Sequence, residues 1–217
     1  MKNVRKIKMS PYEEAALWRQ RYFEAQSGME RFLTERYGAS EIERWLPVKA
    51  EILKGVESHA GDDSDPSFWK DQFFRTQARL EQYVVEHHGL AELDGWTSAV
   101  AEVFRFTEPG SGDGAVDFVL RFAKQAECYR SDYEISHATP TSARVELNRC
   151  GIWEYREQAR SRGVKLTLES PCTYCTKATR ANAQAAGFDS RFELHSNDRG
   201  HGCAWEFESK STEEEEI

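Results

Sequence analysis

The chain has 217 residues and a formal charge of −8. That length fits one domain whose core needs no disulfide support. Glu213 to Glu216 supply four of the acidic charges, and apart from Lys2, Arg5, Lys6 and Lys8 the cations are spread along the chain; this is not the basic stripe of a nucleic-acid binder.

The first half predicts helices. Ser10-Pro11-Tyr12-Glu13 is a helix start: the Ser10 hydroxyl can cap, Pro11 suits the first helical position, and Glu13 can reach back to the cap. Leu17, Trp18, Tyr22, Phe23, Phe32, Leu33 and Tyr37 recur at helical spacing, with an interruption expected near Gly28. A second stripe runs through Ile42, Trp45, Leu46, Ile52, Leu53 and Val56. Asp62 to Pro66 is a polar break, and Asp65-Pro66 opens a third helix carrying Phe68, Trp69, Phe73, Leu80, Tyr83 and Val84. A shorter helix is expected over Trp96 to Phe106, a loop over Glu108 to Gly114, and one more helix around Val116, Val119, Leu120 and Ala123.

After Arg130 the period changes to alternation. Tyr133 to His137 and Arg144 to Asn148 predict strands, then Ile152 to Arg162 a helix. Ser170-Pro171 opens a helix that stops at Gly187. Arg191 to His195 and Cys203 to Glu208 predict a hairpin, with Asn197 to Gly202 as its turn. The fold class is therefore α+β: a helical N-terminal half and a small antiparallel sheet of four strands with helices on one face. The expectation is a single domain over residues 10–208, mostly helical to 126, between a flexible start (1–9) and an acidic tail (209–217).

No segment reaches the roughly 18 apolar residues that span a bilayer. The N-terminus also lacks the apolar run of a signal peptide. The expected location is the cytoplasm, where thiols stay reduced. Five cysteines, an odd number, do not make a disulfide framework. Four of them, Cys150, Cys172, Cys175 and Cys203, fall with His195 and His201 in about a quarter of the chain. Zinc takes thiolates and imidazoles in a tetrahedral shell, and the two-residue spacing of Cys172 and Cys175 suits one ion. The start of a helix also favours thiolates there, which makes reactive thiols a second reading. In the third, the cysteines are small buried core residues. Spacing leaves all three open.

The pattern Val145-Glu146-Leu147-Asn148-Arg149-Cys150, then Cys172, then Phe192-Glu193-Leu194-His195 running into Gly200-His201-Gly202-Cys203-Ala204-Trp205 resembles the family named for L-2-amino-thiazoline-4-carboxylic acid hydrolase, over roughly residues 115 to 208. Where that family carries an aspartate after the glycine of the last strand, this chain has His201, and the element is one residue shorter. The same stretch is similar to the vinyl-reductase-type ligand-binding domain, in which cysteines hold a zinc. That likeness implies zinc on Cys172, His195 and Cys203, with Cys175 and Cys150 as further ligands, and an apolar small-molecule pocket.

The hydrolase likeness implies opening of a cyclic amidine or thiazoline at a carbon–nitrogen bond, by a metal-bound hydroxide or by a cysteine such as Cys172. Acid–base candidates are Glu193, His201 and His137. Each has a plainer reading as an exposed strand or turn residue. His87 and His88 read as helix-end residues, and the aromatics of the first half read as core. The expected partner is a small-molecule substrate or ligand, with no nucleic acid and no membrane; a homo-oligomer is compatible with this reading.

Overall fold

The computed structural model describes residues 7–57, 64–108, 110–198 and 200–210. The fold is α+β, with seven α-helices and four strands among these residues. The termini predicted to be flexible lie largely outside them, as do Asp62 and Asp63 of the polar break. The chain divides into two compact units: a sheet unit (Met1–Ile7, Glu108–Gly163, Thr179–Ile217) and a helical unit (Lys8–Thr107, Val164–Ala178). No described helix is long and apolar enough to cross a membrane.

In the helical unit, α1 (Pro11–Tyr37) starts where the sequence predicts. Ser10 Oγ accepts the Glu13 N–H at 3.3 Å, and the Glu13 carboxylate accepts the Ser10 N–H at 2.7 Å. Trp18, Tyr22, Met29, Phe32 and Leu33 make its buried stripe, packed against α3 (Pro66–His87) and α4 (Leu93–Thr107). Each large side chain so buried contributes about 1.5–3 kcal/mol. The interruption expected at Gly28 does not occur. A Cβ there would lie 2.5 Å from Val100 Cγ2 and 2.7 Å from Val100 Cα, so this glycine marks a close approach of α1 to α4 rather than a helix break. Helix α2 (Ala39–Glu57) buries Trp45 and Ile52, and a short 3-10 turn, Leu90–Glu92, leads into α4.

The sheet unit holds β1 (Asp132–Ala138), β2 (Ser142–Arg149), β3 (Phe188–Asn197) and β4 (Gly200–Ser209), all antiparallel in the order β1-β2-β4-β3. Both arms of the β3–β4 hairpin extend further than expected: pairing continues to Asn197↔Gly200, so most of the predicted turn is strand. Val145, Leu147, Trp205, Phe207 and Phe188 face one side, where α5 (Ala115–Cys128) lays Phe118, Val119 and Ala123 on them. Phe118 meets the Phe207 ring edge-on at 4.7 Å. Ile7 packs on this core and donates its N–H to the Tyr133 hydroxyl at 3.1 Å. Helix α6 (Gly151–Ser161) follows β2 directly, and α7 (Cys172–Ala185) gives its second half to this unit.

Candidate functional site

The strand register sorts the predicted residues onto two faces. Leu194 pairs with Cys203, and both share the core-facing side with Phe192, Trp205 and Leu147. His195 pairs with Gly202 and, one residue out of phase, faces the other side. Cys203 and His195 therefore do not converge. Cys203 and Cys150 instead pack against the hydrophobic core. Glu193, paired with Ala204, is exposed on the side of His195. His137 is exposed as well and is held by Ser142 Oγ, 2.8 Å from its Nε2, at the β1–β2 turn.

His195 has an unusual seat. Its ring lies across Gly202, where a Cβ would come within 2.5 Å of His195 Cε1. It reaches toward β2, with Nε2 3.7 Å from Glu146 Oε1. Both ring nitrogens are buried and make no hydrogen bond. Buried polar atoms of this kind are rare, so His195 is the predicted ligand whose surroundings suit a further group. No group of three or more His, Cys, Asp or Glu able to hold a metal occurs among the described residues.

His201 sits in a different setting. The Cys150 N–H donates to the His201 carbonyl at 2.8 Å, which fixes the end of β2 beside β4. Cys150 is the N-cap of α6, and the Gly151 N–H donates to Ser131 Oγ at 3.0 Å. The first turn of α6 then places the Trp153 ring on the His201 imidazole, with centroids 3.9 Å apart and planes 24° from parallel. His201 Nδ1 is 3.3 Å from Ser196 Oγ. Burial, with a smaller contribution from His195, holds the imidazole below its ordinary range. Burial likewise pushes the Cys150 thiol up, against the Trp153 and Ile152 N–H groups. The constellation that forms is therefore Cys150, Trp153, Ser196 and His201. Nothing local in the sequence ties Trp153 to His201, whereas Ser196 is the partner of His201 across the β3–β4 hairpin, in a stretch that reads as turn.

The remaining candidates belong to the helical unit. Cys172 opens α7 and Cys175 lies one turn in, both half-buried; all five cysteines are thiols. Tyr174 between them packs on buried Trp96 at 4.8 Å, and its phenol is pushed up by burial and by Glu81. His88 is the C-cap of α3, a helix-end residue as expected, with its side chain buried. It stacks on Tyr37 at 4.1 Å and places Nε2 3.0 Å from buried Glu41, which also accepts the Tyr83 hydroxyl at 2.7 Å.

No family model matches the chain, and no curated protein matches it. Solved structures that match include an Fe(II) unliganded H-NOX protein from K. algicida, at 7% identity and a TM-score of 0.39, with 88% of this chain and 96% of that chain covered. A point mutant of the same protein matches at 8% identity and a TM-score of 0.42, over 87% and 96%. Similarity of this degree says nothing about the chemistry of this chain.

Proposed function

We propose that the chain is a small-molecule hydrolase, or a related lyase, that opens a carbon–nitrogen bond in a cyclic amidine or thiazoline with His201 as general base. The observation that carries this is the His201 setting: an imidazole held below its usual range, stacked on Trp153 and joined to Ser196. Such a ring is neutral near pH 7 and accepts a proton. In this reading water attacks the amidine carbon while His201 takes its proton. The imidazolium then returns a proton to the ring nitrogen as the carbon–nitrogen bond breaks. Trp153 fixes the imidazole plane and Ser196 its rotation. Burial disfavours the Cys150 thiolate, and water is the nucleophile in this reading.

The test is ring opening across a panel of cyclic amidines and thiazolines, followed as the gain of one water by mass. His201→Asn is expected to lower the rate by about 10²–10⁴-fold, and Ser196→Ala by less. Cys172→Ser and Glu193→Gln in the same assay measure whether either residue takes part. No ring opening over the panel, or full activity in His201→Asn, counts against the proposal.

A second reading, a binding module with zinc, is favoured by His195 and its two buried nitrogens without hydrogen bonds. There Glu146 would join His195 at the ion. Elemental analysis separates the outcomes: stoichiometric zinc lost in His195→Ala supports it, and absence of metal in the wild-type protein sinks it.

A further inference from the structure

We infer that Cys172 and Cys175 are a redox pair that closes reversibly to a disulfide. They are the first and fourth residues of α7. Helix geometry sets Cα atoms at that spacing about 5 Å apart, inside the roughly 4.4–6.8 Å window of disulfides. The turn that carries them is already fixed. The Cys172 N–H donates to Ser170 Oγ at 3.1 Å. The Tyr174 and Cys175 N–H groups donate to the Pro171 carbonyl at 3.2 and 3.0 Å, and the Thr176 hydroxyl donates to the Cys172 carbonyl at 2.7 Å. Tyr174, against Trp96, anchors the stretch between the two sulfurs. Closing the bond therefore spans one turn of one helix and requires no element to move.

The two thiols differ from the other cysteines in placement. Both are half-buried, as are Cys150 and Cys203, and only Cys128 is buried; what sets the pair apart is that its two members share the first turn of one helix. Cys172, at the helix start, receives the stabilisation that the helix dipole gives a thiolate. Cys175, a turn further in, receives less. Cys172 is thus the attacking sulfur and Cys175 the resolving one.

The oxidant is a small external disulfide, such as oxidised glutathione. The Cys172 thiolate attacks one of its sulfurs, forming a mixed disulfide and releasing one thiolate. The Cys175 sulfur then attacks Cys172 Sγ, forming the internal bond and displacing the second thiolate. The two cysteine protons end on the two released thiols, so the protein loses two electrons and the external disulfide gains them.

This inference does not depend on the ring-opening reading, and its readout is a covalent bond rather than turnover. The full chain is equilibrated with mixtures of reduced and oxidised glutathione, quenched with an alkylating agent, digested and weighed. The peptide holding both cysteines is expected to become two hydrogens lighter and lose alkylation as the mixture turns oxidising, and to recover both on reduction. Cys175→Ser is expected to stop at glutathione on Cys172. The inference is overturned if both cysteines stay alkylatable while Cys150 or Cys203 oxidises. It is also overturned if Cys172 pairs with another cysteine, or if a chelator rather than a reductant restores alkylation.

Discussion

Replacing Tyr83 with phenylalanine tests whether the buried Glu41 network holds the helical unit together. The phenol donates to Glu41 Oε1 at 2.7 Å, and the same carboxylate takes His88 at 3.0 Å and Arg44 at 3.1 Å. The substitution keeps the aromatic ring, with its edge contact to Trp45 at 5.1 Å and its stack on His87 at 4.3 Å. Only the hydroxyl is lost. A hydrogen bond to a charged group contributes about 1.5–3 kcal/mol. Glu41 retains His88 and Arg44, which places the expected loss near the lower figure, about 1.5 kcal/mol, or roughly 3–6 °C for a chain of this size. The pH dependence is the sharper test. Burial opposes ionisation of Glu41, but Tyr83, His88 and Arg44 outweigh it and hold the carboxyl below its usual range. A carboxyl whose folded value is depressed contributes stability above its unfolded value of about 4.3, and that stability is lost as pH falls through the folded value. Urea unfolding followed by helical circular dichroism is expected to show a steady gap between wild type and Tyr83→Phe from neutral pH down to about 5, narrowing below it. Equal stability at pH 7, or a gap that persists through Glu41 protonation, refutes the reasoning.

Two further substitutions test other parts of the account. Gly28→Ala gains about 1 kcal/mol on helix propensity alone. Its Cβ would however meet Val100 at 2.5 and 2.7 Å, so the expected net result in chemical denaturation is a loss of about 1–3 kcal/mol; a more stable variant contradicts the tight α1–α4 approach. Trp153→Ala uncovers the His201 ring, and because burial is the largest cause of its lowered value, NMR titration of the imidazole is expected to move upward.

What was legible in the sequence was local. The Ser10–Glu13 capping box needs only four consecutive residues, and the alternation of Val145 with Leu147 and of Trp205 with Phe207 defines the sheet by itself. The same alternation already separates Cys203, in phase with Trp205 and Phe207, from His195, in phase with Glu193 and Arg191. The signal that these two face opposite sides is therefore present in the strand pattern. Other features depend on distant partners and leave no local trace. Gly28 resembles a break until Val100 is placed against it. His201 resembles a turn residue until α6 brings Trp153 onto it. His88 reads only as a helix end until α1 and α2 supply Tyr37 and Glu41. Residues of one chain end up adjacent through packing of whole elements, which spacing in sequence does not encode.

The central claim is that His201 is the base, and the pH dependence of kcat/KM for ring opening tests it most directly, because that profile reports the essential groups of the free enzyme. The account predicts an acid limb below the ordinary imidazole value of about 6.5, coincident with the NMR titration of His201, moved upward in Trp153→Ala and missing from the residual activity of His201→Asn. An acid limb that remains unchanged in His201→Asn contradicts it.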